Sequence, residues 1–190
     1  RQRQMCIRDR LYAHWITISY RESYGIFACN GILFNHESPL RGETFVTKKI
    51  IRGLCRIKQN KQKILYLGNI YSKRDWGHAR DYVKAQWKIL QYKSPDDYVI
   101  ATGQQMSVKN FINLVCKELR INIIWKGKGV NEKAYNQEGK PIIKIDKSYF
   151  RPSEVNNLLG DYSKAKNKLN WRPETSIKQL IREMIEVELK

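Results

Sequence analysis

Ile26-Phe27-Ala28-Cys29-Asn30-Gly31-Ile32-Leu33-Phe34 runs directly into Asn35-His36-Glu37-Ser38-Pro39, so an apolar stretch empties abruptly into a polar, histidine-bearing loop. The apolar part is mostly hydrophobic on both alternating faces, interrupted chiefly at Asn30 and Gly31. That pattern predicts a parallel strand covered by helices on both sides. Ligands of such sheets sit just beyond the carboxyl ends of the strands, where polar loops carry chemistry.

The flanking segments extend this into an α/β rhythm. Leu11, Trp15 and Ile18 share one helical stripe and Tyr12, Ile16 and Tyr20 the next, which predicts a helix from Leu11 to about Ser23 with Gly25 after its end. Val46, Ile50, Leu54 and Ile57 predict a helix from Thr44 to about Lys61, followed by a short strand from Ile64 to Leu67. A further helix is expected from Asp75, with Asp75 as its cap, then a strand at Tyr98–Ala101. Ser107 caps a helix to about Leu119. Strands are expected at Ile121–Trp125 and Pro141–Asp146 with a polar loop from Lys126 to Lys140 between them. Asp161 caps a short helix ending before Asn170, and Ser176–Leu189 forms the last helix.

The Asn30–Pro39 stretch, Arg41-Gly42, Lys73-Arg74-Asp75-Trp76-Gly77-His78 and Arg151-Pro152-Ser153-Glu154 together resemble the GDP-mannose 4,6-dehydratases, which are extended short-chain dehydrogenases. The resemblance runs from about Leu11 to the end. It implies the C-terminal part of a Rossmann-like parallel sheet, with its last elements interleaved with a small α/β substrate-binding domain. It also implies NADP as cofactor, GDP-mannose as substrate and a homo-oligomer when complete. The implied reaction oxidises the mannose at C4, eliminates water across C5 and C6 and returns the hydride to C6, giving GDP-4-keto-6-deoxymannose for deoxysugar synthesis.

Two parts of the family pattern do not occur in this chain. Its glycines offer no G-x-G-x-x-G or G-x-x-G-x-x-G spacing to cradle a pyrophosphate. The family's Tyr-x-x-x-Lys pair would fall on Cys6 and Arg10. Residues 1–10 have no apolar period and read as non-native sequence, so they are set aside from fold reasoning. The expectation is therefore a truncated, inactive dehydratase with no catalytic residue in this chain.

The resemblance assigns Asn35, His36 and Arg41 to NADP, and Asn30, Lys49, Arg74, Arg151 and Glu154 to GDP-mannose. The residue types allow these roles. A guanidinium offers a planar fork suited to phosphate, and the Glu154 carboxylate can accept from ribose hydroxyls or a guanine N–H edge. By type alone, His36 also reads as a histidine satisfied by its own loop. Arg41 also reads as a surface cation, and Arg151 with Glu154 as a surface ion pair.

Composition is that of a globular chain of 190 residues, 42% hydrophobic and 11% aromatic, which is enough to bury a core. The formal charge of +18 invites a nucleic-acid partner, but the cations are spread rather than clustered, and a solvated surface is the simpler reading. No nucleic acid is expected. Cys6, Cys29, Cys55 and Cys116 form no C-x-x-C pair. Cys29 and Cys116 read as core residues in a reducing cytoplasm. His14, His36 and His78 are isolated, so no metal site is expected. No apolar run nears the ~20 residues of a membrane span. Trp76, Trp125 and Trp171 read as packing residues at element ends. The rival readings are another nucleotide-sugar epimerase or dehydratase of the superfamily and, further off, a basic nucleic-acid-binding module.

Overall fold

The computed structural model describes residues 2–150 and 155–190. Helix α1 (Gln2–Tyr24) includes the residues set aside above, because neither glycine nor proline interrupts the chain before Gly25. Gly25 ends the helix at φ +66°, its N–H donating to Arg21 O at 3.1 Å, in the left-handed conformation that glycine adopts without a Cβ penalty.

The expected long strand is instead divided between two sheets. Strand β1 (Gly31–Leu33) lies parallel to β5 (Tyr98–Ile100), whereas β2 (Asn35–Glu37) lies parallel to β4 (Lys73–His78). The polar Asn35-His36-Glu37 is thus strand rather than loop, because backbone pairing with Trp76, Gly77 and His78 holds it regardless of side-chain polarity. Ile26 and Phe27 lie outside any strand and are exposed.

Helix α2 (Val46–Lys58) buries Ile50, Ile51 and Leu54 on the expected stripe. Strand β3 (Leu65–Leu67) follows. The segment expected to open a helix at Asp75 is β4, which also pairs antiparallel with β6 (Gln105–Ser107). Helix α3 (Ala79–Leu90) starts later and is capped by His78, whose Nδ1 accepts from Arg80 N at 3.0 Å. Helix α4 (Val108–Glu118) is capped by the Ser107 hydroxyl as expected.

Strands β7 (Ile124–Lys126), β8 (Lys133–Tyr135) and β9 (Pro141–Ile145) join β3 in the order β3-β9-β8-β7. The polar loop expected from Lys126 to Lys140 therefore contains a strand, which packs the small Ala134 into the core. Helix α5 (Ser163–Leu169) ends at Asn170 with φ +46°, and α6 (Ile177–Leu189) closes the chain.

Two cores result. Helices α2, α4 and α6 pack against the four-stranded sheet and Trp76. Tyr82, Ile89, Tyr98, Ile100, Leu169 and Trp171 form the second core between α3, β5 and α5. Trp76 and Trp171 are buried as expected, while Trp125 lies partly buried at the margin. Cys116 is buried and Cys29 only half-buried. Among the described residues no helix is long and apolar enough to cross a membrane.

Candidate functional site

Where β2 gives way to the Ser38–Gly42 turn and α2 begins, the chain walls a cavity of about 270 Å³. Its lining brings together Asn35, Arg41, Lys49 and Arg74, all expected site residues, with Glu37, Asn69, Trp76 and Tyr149. Thr44, Phe45 and Val46 place the N-terminus of α2 at its rim, and the first turn of that helix carries no acidic residue. A helix N-terminus presents N–H groups and partial positive charge, so it favours an anion.

Each cation is held in a particular way. Arg41 Nε lies 3.2 Å from Glu37 Oε2, and its Cζ sits 3.6 Å above the Phe45 ring. Lys49 Nζ lies 3.5 Å over the Tyr149 ring. Burial pushes its ammonium below the usual lysine range, with Asp146 partly offsetting this. Arg74 Nη1 donates to Lys73 O at 2.8 Å and to Val155 O at 2.6 Å. The neighbouring Lys48 faces elsewhere, donating to Pro39 O at 2.9 Å and pairing with Glu188. A partly desolvated ammonium and two oriented guanidinium groups around one cavity favour phosphate over a neutral ligand.

Gly68 shapes this wall. A Cβ there would lie 2.6 Å from the backbone oxygen of Tyr149, so only glycine lets the Tyr149 turn approach closely enough to put its ring beneath Lys49.

The remaining expected residues lie elsewhere. His36 does not line the cavity. Its Nδ1 is 2.9 Å from Phe34 O, which makes Nδ1 the protonated nitrogen, and its ring packs 5.4 Å from that of Tyr82. Asn30 points toward α1, donating through N and Nδ2 to Asp97 Oδ1 at 3.0 and 3.1 Å and through Nδ2 to His14 O. Arg151 and Glu154 lie outside the described residues.

Asp97 also accepts from Arg21 Nη1 at 2.8 Å. Burial alone would raise its carboxyl, but the Arg21 guanidinium and the Asn30 amides outweigh that and hold it below the usual carboxylate range. This stabilisation is present above the unfolded pKa of about 4 and is lost as pH falls through the lower folded value. Asp97→Asn is therefore expected to cost about 1 kcal/mol at pH 7 and less in acid. Urea melts at neutral and acid pH check this, and a cost that grows in acid would contradict it.

Residue-type reasoning gives no role to Glu37, Asn69 or Tyr149, and reads the buried Asp75 only as a helix cap. Glu37 sits inside the quoted polar stretch, so its carboxylate beside an arginine four residues on was the available signal. Tyr149 is brought in by the β3–β9 pairing, which no local pattern announces.

The family model described as GDP-mannose 4,6 dehydratase matches residues 9–184. The chain is 52% identical over 192 residues to the GDP-mannose 4,6-dehydratase of Vibrio cholerae, covering 95% of this chain and 52% of that protein. It is 50% identical over 176 residues to GDP-mannose 4,6 dehydratase 2 of Caenorhabditis elegans, covering 93% and 46%. The chain thus spans about half the length of the curated relatives it matches. Among solved structures, RMD from Pseudomonas aeruginosa complexed with NADPH superimposes with TM-score 0.77 at 22% identity, covering 94% of this chain and 53% of that one. The dTDP-glucose 4,6-dehydratase of Bacillus anthracis in complex with NAD gives TM-score 0.70 at 17% identity, covering 92% and 49%. The fold is therefore the Rossmann-like α/β fold of these structures, one of which holds NADPH and the other NAD.

Proposed function

The chain belongs to the GDP-mannose 4,6-dehydratase family, and from that premise we propose that it forms the C-terminal, nucleotide-holding part of an enzyme converting GDP-mannose to GDP-4-keto-6-deoxymannose with NADP. The observation that carries this reading is the convergence of Arg41, Lys49 and Arg74 on one cavity at the N-terminus of α2. At about 270 Å³ that cavity is smaller than the ~300–1,000 Å³ that encloses a whole small-molecule ligand. It fits the phosphate-bearing part of a nucleotide, with Arg41 and Asn35 assigned to NADP and Lys49 and Arg74 to GDP-mannose. His36, Asn30, Arg151 and Glu154 are kept in the roles that the family resemblance gives them.

NADP, when bound, supplies acceptance and return of the hydride. The chain's own residues bind and orient: the cations neutralise phosphate charge, and the Lys49–Tyr149 stack keeps an ammonium partly out of water, where its attraction to an anion is stronger. Taking the C4 hydroxyl proton and eliminating water need a base, a carboxylate and a hydroxyl near the nicotinamide. None of these is assigned to a residue of this chain.

The test is turnover of GDP-mannose with NADP by this chain and by this chain joined to the upstream half of the Vibrio cholerae relative. Product is expected only from the joined form. Product from neither would favour another nucleotide-sugar specificity, and product from this chain alone would overturn the absence of catalytic residues in it.

A further inference from the structure

Glu37 closes β2, where its backbone is opposite His78 in the parallel pair with β4, and its side chain is 3% exposed. A carboxylate taken out of water is costly unless it is paired and hydrogen-bonded. Both conditions are met by elements that border the cavity. Thr47, in the first turn of α2, donates Oγ1–H to Oε2 at 2.6 Å, and Arg41 Nε lies 3.2 Å from the same oxygen. Arg41 N also donates to Ser38 O at 3.0 Å, closing the turn that carries it back over the strand end.

The contact is an ion pair whose nearest nitrogen is Nε, which is buried and makes no hydrogen bond. With Phe45 against its face at 3.6 Å, the plane of the group is fixed from two sides. The two Nη groups make no hydrogen bond among the described residues, and Arg41 lines the cavity.

We infer that Glu37 is a positioning residue, whose buried charge holds the Arg41 guanidinium at the strand end so that the Nη fork is preset for a phosphate group. The inference rests on the reading of Arg41 as a phosphate ligand. An arginine held in this way has little side-chain freedom left to lose on binding, which is where a long flexible cation forfeits affinity. The carboxylate also subtracts a negative charge from the cavity, so electrostatics alone would have its removal tighten anion binding. The two effects have opposite signs, which makes the claim testable.

The experiment uses this chain joined to the upstream half of the Vibrio cholerae relative, with inorganic pyrophosphate as the probe in calorimetric titrations. Arg41→Ala, Glu37→Gln and the double variant are compared with the parent. Glutamine keeps the length and can still accept from Thr47, so it removes the charge while conserving shape. Glu37→Gln is expected to weaken binding about tenfold, since the charged clamp is replaced by a weaker neutral contact. The double variant should bind no worse than Arg41→Ala, because a residue that acts through another adds nothing once that one is gone. Nitrogen NMR supplies the direct signature: the Arg41 Nε–H resonance, identified by its disappearance in Arg41→Ala, should change position in Glu37→Gln as the adjacent charge is removed, and an unmoved resonance would overturn the positioning role.

Unchanged or tighter binding in Glu37→Gln, with Arg41→Ala still weakened, would overturn the positioning role and leave the phosphate site standing. Unchanged binding in Arg41→Ala, or no binding by the parent, would remove the reading on which the inference rests. Should Glu37→Gln fail to fold, Thr47→Val takes its place, deleting only the hydroxyl that holds Oε2, with a smaller loss expected in the same direction and an unchanged affinity overturning the claim.

Discussion

Replacing Asp75 by alanine is expected to cost the fold about 2–5 kcal/mol, since two or more N–H donors lose their acceptor at about 1–3 kcal/mol each. Asp75 is fully buried in β4. Its carboxylate accepts from Thr102 N at 2.9 Å, Thr102 Oγ1 at 2.5 Å, Gly103 N at 3.0 Å and Gly160 N at 3.3 Å. It therefore ties the turn after β5 and the approach to α5 onto the strand that carries Arg74. Without it, the half-buried Thr102 N–H and the buried Gly160 N–H lose their acceptor, at about 1–3 kcal/mol each where water cannot replace it.

The glycines of this cluster are part of the same device. Gly103 adopts φ +71°, and a Cβ at Gly160 would lie 2.2 Å from that of Ala101, so both amides reach the carboxylate only because no side chain intervenes. Asp75→Asn is expected to cost less than alanine, about 2 kcal/mol. It keeps an oxygen for the Thr102 donors but turns an N–H₂ group toward the glycine amides. Urea denaturation with matched slopes measures both variants. A loss below about 1 kcal/mol for Asp75→Ala would show that water enters the site and that the cluster does not hold these segments together.

Asp75 also marks the limit of what the sequence makes legible. An aspartate ahead of Trp76-Gly77-His78 and a helical pattern reads as an N-cap, and the local pattern contains nothing to contradict that. What overrides it is tertiary: β2 and β6 pair with the segment on either side, so it becomes a central strand and the cap passes to His78. The short polar strands β6 and β8 are hidden for the same reason, since their partners, rather than their own alternation, decide them. Helices with a strong apolar stripe and a serine cap, α4 and α6, are legible because both signals are local.

The site divides along the same line. Asn35, Arg41, Lys49 and Arg74 share one cavity, and no spacing rule gathers them, for they come from β2, the turn after it, α2 and β4. The family resemblance assigns the first two to the cofactor and the last two to the nucleotide sugar, and does not itself gather the four at one cavity. Glu37 was passed over because a buried carboxylate that serves an arginine looks, in one dimension, like any other polar residue of a loop.

The second large effect concerns the exposed apolar side chains of α1, of β1 and of the segment between them. Leu11, Tyr12, Trp15, Ile26, Phe27 and Ile32 are all more than 40% exposed, and among the described residues β1 pairs with β5 alone. A parallel pair with an open edge and an uncovered apolar face is unusual, because parallel sheets are ordinarily buried on both faces and open edges recruit other chains. The 190-residue chain expressed alone is therefore expected to self-associate with concentration and to melt broadly. The form joined to the upstream half of a relative should elute as a defined species and melt sharply. Light scattering after size exclusion, together with calorimetry, distinguishes the two. A sharp, cooperative melt from a monomer of the short chain would show that the face is tolerated as it stands. The joined half is expected to restore turnover as well, so the two recoveries bear on each other. Solubility without turnover would mean that the face has found its cover while the cavity belongs to another specificity. Recovery of both in one form would tie the apolar face and the cationic cavity to a single enzyme.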